Sequence, residues 1–149
     1  MYKHIIVAVD DSPTSQRAIE EAAALSVTSG ARLTVVHAVD EALFAHFNRV
    51  TLASRDAVQT ALIKEGQCVL DAAVAAATAA GAKPEGRLLA SEHQSTSDQI
   101  VQAVAGLGAD LLVVGSHGRR GVQRLLLGSV AEKLLKKVAV SVMVVRGTA

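Results

Sequence analysis

The stretch that decides the fold is Asp110-Leu111-Leu112-Val113-Val114-Gly115-Ser116-His117-Gly118, followed ten residues later by Gly128-Ser129. An apolar run ends in a glycine-punctuated loop, and a helix-like segment, Val130 to Val138, follows the loop. A strand that enters a helix through glycines offers backbone N–H groups and a helix N-terminus to an anion. Arg119, Arg120 and Arg124 add positive charge to the loop. The bare spacing leaves two readings open. The glycines serve a phosphate, or they serve only the turn, with Ser129 as an ordinary helix cap.

Working outward, β-branched apolar runs alternate with Ala-rich segments. His4 to Val9 reads as a strand buried on both faces, and Arg32 to Val39 as a second. Between them Ser12 caps a helix with Pro13 at its first position, and Gly30 stops it. A long helix is expected over Arg55 to Ala80, ended by Gly81. Pro84 to Ala90 is a weaker third strand. Thr96 with Gln99 resembles a capping box, opening a helix that closes at Gly106 or Gly108. Ser129 with Glu132 gives the same pattern before the last helix, and Val138 to Val145 is the fifth strand. Residues 40 to 54 are the least readable segment, a short helix or a flap. This alternation predicts one α/β domain, a parallel sheet with helices on both faces.

Composition narrows the function classes. The chain has 149 residues, half of them hydrophobic, and its aromatics are Tyr2, Phe44 and Phe47, so the core is aliphatic. With 15 basic and 14 acidic residues there is no electrostatic footprint for nucleic acid. Cys68 is the single cysteine, which excludes a disulfide within the chain. No apolar run is long enough for a membrane span, and a cytoplasmic protein is the expectation. The five histidines show no metal-ligand spacing and are expected to be structural or at the surface.

Two candidate constellations remain. The loop fits neither the Walker pattern nor Gly-x-Gly-x-x-Gly. Asp10 stands at the carboxyl end of the first strand, where open α/β sheets bind ligands. It could accept a ribose hydroxyl or help hold Mg²⁺, or it could be a solvated turn residue.

Gly115-x2-Gly118-x9-Gly128-Ser129 resembles the ATP-binding motif of the universal stress protein family. Tyr2 to Asp10, Val35 to Val39, Ala109 to Gly118 and Leu125 to Glu132 are similar to its other characteristic segments. The resemblance implies a five-stranded sheet of order 3-2-1-4-5 and a homodimer joined through the last strand. It implies a nucleotide site in which Asp10 approaches the ribose and triphosphate region and Ala38 meets the adenine edge through its backbone, with Ala8 a further candidate binding residue. Val114, Gly115, Gly118, Gly128, Ser129 and Val130 would surround ribose and phosphates; Arg119, by its charge, is a candidate for a phosphate contact or a solvated loop residue. ATP, with Mg²⁺ as a companion at Asp10, is the expected ligand. The absence of a Walker lysine and of an evident base favours a regulatory nucleotide binder. A slow ATPase, and a nucleotide-free dimer that binds a protein through residues 40 to 54, are the alternatives. The last strand departs from the family, having Val138-Ala139-Val140-Ser141-Val142 where prolines are common.

Overall fold

The computed structural model describes residues 1–40, 46, 49, 54–118 and 127–147. Five strands form one parallel sheet: β1 (His4–Ala8), β2 (Arg32–Ala38), β3 (Glu85–Leu89), β4 (Leu111–Gly115) and β5 (Ser141–Val145). The spatial order is β3-β2-β1-β4-β5. Among the described residues, four helices complete the fold: α1 (Pro13–Ser29), α2 (Arg55–Ala79), α3 (Thr96–Leu107) and α4 (Ser129–Lys137).

The strands are apolar throughout because both faces are covered. Along β1, Ile5 and Val7 join Val35, Leu111 and Val113 in a cluster under α1 and α2. Ile6, one residue out of phase, joins Val36, Leu112 and Val114 in a cluster that takes in Ile100 and Val104 of α3 and Leu134 of α4. The period-two alternation of a strand thus feeds two helical layers at once. Ile5, Ile6, Val7, Val35, Val36, Leu112 and Val113 are wholly buried, each contributing about 1.5–3 kcal/mol of transfer free energy.

Local signals set the boundaries. Ser12 caps α1 by accepting from the Ser15 N–H, with Pro13 in the first turn and Gly30 left-handed at φ 70° beyond the end. Gly108 ends α3 in the same way. Two caps differ from the sequence expectation by one residue. Ser95, not Thr96, caps α3 through the Asp98 N–H. Gln99 is instead buried, and its Nε2 donates to the carbonyls of Val39 and Gln94. Gly128, not Ser129, is the N-cap of α4. β5 begins at Ser141, since Val138 is still the extended C-cap of α4 and its N–H bonds Leu134. The readings made for residues 41–45, 47, 48 and 50–53 lie outside the described residues.

Candidate functional site

β1 lies between β2 and β4, with Ala8 level with Val36 on one side and Val114 on the other. The chain leaves β1 toward β2 and leaves β4 toward β5, so the connections diverge between β1 and β4. A crevice opens at such a switch point, at the carboxyl edge of the strands. The register delivers Asp10 and Gly115 to that edge together.

Asp10 is held by the first turn of α1. Its Oδ1 accepts from the Ser12 N–H at 2.8 Å and from the Ser15 hydroxyl at 2.9 Å. Its own N–H donates back to Ser15 Oγ at 2.9 Å. At the start of α1, Asp10 thus takes the N–H of Ser12 and Ser12 takes the N–H of Ser15. Nothing in the sequence patterns singled out Ser15. Its signal is local, a hydroxyl five residues after the aspartate in a helix first turn.

The loop after β4 is fastened at both ends through Ser116, which is 2 % exposed. The Ser116 N–H donates to the Val145 carbonyl at 2.8 Å, and its carbonyl accepts from the Gly128 N–H at 2.6 Å. Its hydroxyl lies 3.1 Å from His117 Nδ1. The glycines of the loop answer to protein neighbours. A Cβ on Gly115 would stand 2.7 Å from Thr14 Cγ2, one on Gly118 2.6 Å from Asp10 Oδ2, and one on Gly128 2.9 Å from the Ser116 carbonyl oxygen. Each of these glycines lets two segments of the chain touch.

α4 differs from the other helices at this edge. Ser12, Ser54 and Ser95 cap α1, α2 and α3 with their side chains. Gly128 gives α4 no side-chain cap. Ser129 occupies the first helical position, exposed, and the capping-box expectation for Ser129 and Glu132 is not met. The first N–H groups of α4 thus carry the positive end of the helix with no acceptor from the side chain of its N-cap.

Ala38 and Val114 are buried on the α3/α4 face, with Ala8 and Leu127 packed against the same cluster. They form a small apolar floor beside the crevice. Val9 N–H closes the β1–β2 ladder on the Val36 carbonyl, and the Val9 carbonyl accepts from His37 Nδ1–H at 2.7 Å. His37 is thereby structural, as expected. So is His4, whose ring bridges the Leu107 carbonyl and the Thr34 hydroxyl. Arg119 and Arg120 lie outside the described residues. Among the described residues no group of three or more His, Cys, Asp or Glu is placed to hold a metal ion.

Two carboxylates away from the crevice have pKa values below the usual range. Asp110, whose oxygens accept from the backbone N–H groups of His4 and Lys3, is one. Asp98 is the other, with Lys137 Nζ 2.8 Å from its Oδ1 and Ser95 as a second hydrogen-bond partner. Among the described residues, no helix is long and apolar enough to cross a membrane.

Comparison with known proteins places this geometry. Residues 1–146 match the family model described as the universal stress protein family. The chain is 28 % identical to universal stress protein A homolog 1 of Coxiella burnetii, over 97 % of this chain and 96 % of that one. It is similar in structure to the universal stress protein of Archaeoglobus fulgidus in complex with dAMP, with 26 % identity, a TM-score of 0.71, and coverage of 97 % and 98 %. A universal stress protein solved in complex with cAMP is 26 % identical, with a TM-score of 0.70 and coverage of 99 % and 98 %.

Proposed function

Because the chain belongs to the universal stress protein family, we propose that its switch-point crevice binds an adenine nucleotide, ATP foremost, and that occupancy rather than rapid turnover is its output. The observation that carries this reading is the start of α4. Its first residues, Ser129 and Val130, follow a glycine N-cap that supplies no capping side chain, and they sit one hydrogen bond from the loop that meets Asp10. Ahead of α1 the Asp10 carboxylate takes the Ser12 N–H and the Ser12 side chain takes that of Ser15, whereas the N-cap of α4 brings no side chain to its N–H groups, and a helix N-terminus of that kind favours an anion even with Glu132 in its first turn. Phosphates belong at Gly128, Ser129 and Val130, with Arg119 adding charge from the loop.

The remaining roles follow from position. Gly115 and Gly118 bring the loop against Thr14 and Asp10, which leaves the Asp10 carboxylate beside the ribose. The floor of Ala8, Ala38 and Val114 suits a planar base, and the backbone of Ala38 reads its edge. The relatives bound to dAMP and cAMP support an adenine nucleotide as the class. Mg²⁺ keeps several waters and takes one or two carboxylates plus phosphate oxygens. Asp10 fits as one such ligand, so the metal would arrive with the nucleotide.

We further propose a cytoplasmic homodimer joined at the outer edge of β5, where Val142 and Val144 are only partly buried and an edge strand has unpaired backbone groups. An unidentified protein partner would then read the nucleotide state. The test is direct. Purified protein is denatured and its supernatant chromatographed for adenine nucleotides, and the emptied protein is titrated calorimetrically with ATP, ADP, AMP and cAMP. Binding of ATP supports the reading, and absence of binding to all four refutes it. Steady phosphate release that disappears in Asp10→Ala would replace the occupancy reading with a slow ATPase.

A further inference from the structure

We propose that Ser15 is the positioning residue of the nucleotide crevice, fixing the Asp10 carboxylate for the ribose hydroxyls. This inference rests on the reading of the crevice as a nucleotide site.

The Ser15 hydroxyl has a single proton to donate. Ser15 Oγ accepts from the Asp10 N–H, which fixes one of its lone-pair directions. Its proton then points to Asp10 Oδ1 at 2.9 Å. The hydroxyl is thus locked between the backbone and the side chain of the same aspartate. Ser15 is 5 % exposed, so water does not compete for either bond. A second donor, the Ser12 N–H, reaches the same Oδ1.

Two donors on one oxygen favour one rotation of the carboxylate. Its other oxygen, Oδ2, is turned to the loop, where a Cβ on Gly118 would stand 2.6 Å away. Rotation about the Cβ–Cγ bond would break both bonds on Oδ1. Hydrogen bonds to an ionised group are the strong ones, which makes such rotation unfavourable. Ser15 touches no ligand in this scheme. It acts through Asp10, by removing orientations in which Oδ2 points elsewhere. Preorganisation of this kind raises affinity by lowering the ordering cost on binding.

A merely structural Ser15 would support the α1 first turn and nothing else. The two roles separate in a double-mutant cycle measured in EDTA, which silences any metal-borne contribution. Ser15→Ala should weaken ATP binding about fivefold, the scale of one hydrogen bond. In an Asp10→Ala background, Ser15→Ala should cost nothing more, since the group it orients is gone. The native protein should bind 2′,3′-dideoxy-ATP less tightly than ATP, and Ser15→Ala should bind the dideoxy analogue as well as the native protein does. Ser15→Thr, which keeps the hydroxyl, should restore ATP affinity.

The inference is overturned if Ser15→Ala leaves ATP affinity unchanged, if its loss persists with Asp10→Ala, or if it persists with the dideoxy analogue. Should Ser15→Ala fail to fold, native protein that binds ATP and the dideoxy analogue equally overturns it as well. A native protein that binds neither nucleotide overturns the nucleotide reading itself, a result distinct from all of these.

Discussion

Asp10 and Gly118 lie so close that a β-carbon on residue 118 would stand 2.6 Å from Asp10 Oδ2. The carboxylate is held on its other oxygen by Ser12 and Ser15, so it has little room to retreat. Gly118→Ala should therefore displace either the carboxylate or the loop. We expect ATP affinity to fall at least tenfold, about 1.4 kcal/mol or more. Gly118 is exposed, and unfolding free energy should change by less than about 1 kcal/mol. Calorimetry on the emptied variant, with a urea melt alongside, checks both halves.

Gly128→Ala is a different experiment. Its new methyl would meet the Ser116 carbonyl oxygen, which is backbone, at 2.9 Å. Strain there should cost about 1–3 kcal/mol of stability. A loss of binding in this variant would not by itself locate the phosphate. Equal urea midpoints for Gly128→Ala and native protein would show that the loop yields more easily than its hydrogen bonds imply.

Ser129→Ala and Ser95→Ala should separate cleanly in denaturant. Ser95 caps α3 with its hydroxyl, and its loss should cost about 1 kcal/mol. Ser129 stands one position inside α4 and is exposed, so its loss should leave stability within about 0.5 kcal/mol. If it contacts phosphate, ATP binding should weaken several-fold instead. A large stability loss in Ser129→Ala would restore it as the cap.

Asp110 carries a pH dependence. Its carboxylate accepts from the backbone N–H groups of His4 and Lys3, which holds its pKa below the ordinary value. A carboxyl whose pKa is depressed by folding binds its proton more readily unfolded, so its contribution is present above the unfolded pKa. It fades as pH falls through the folded value. Asp110→Asn should lower the melting temperature at pH 7 and flatten its decline below pH 4. An unchanged acid limb would assign that decline to other groups.

The outer edge of β5 offers a test of assembly. Val142→Lys places a charge on a partly buried edge position, a common means of blocking edge pairing. Light scattering should show the native protein as a dimer and the variant as a monomer that retains its circular dichroism. A native monomer at micromolar concentration would remove the proposed interface.

The sheet was legible in the sequence because its strands are short apolar runs bounded by strong punctuation. Ser12-Pro13 and Gly30 marked α1 at the residues where it begins and ends. The order 3-2-1-4-5 came from family resemblance, and the structure has it. The caps of α3 and α4 fell one residue earlier than their Ser/Thr-x-x-Glu/Gln patterns suggest. Which residue turns extended depends on how the preceding loop arrives. Gln99 looked like the third member of a capping box, yet burial turned its amide to Val39 and Gln94. The site was legible as a set of positions. The Asp10–Ser15 pairing was not, because the pattern at a helix start does not show which carboxylate oxygen a hydroxyl will meet.

Ser116 has a consequence for how force would pass through the molecule. Its amide grips the last residue of the outermost strand, and its carbonyl grips the residue that starts α4. Both backbone polar groups of one residue are thus tied to different parts of the protein. A tug on the rim of the sheet reaches the mouth of the crevice through two short links, with no flexible side chain between them to absorb it.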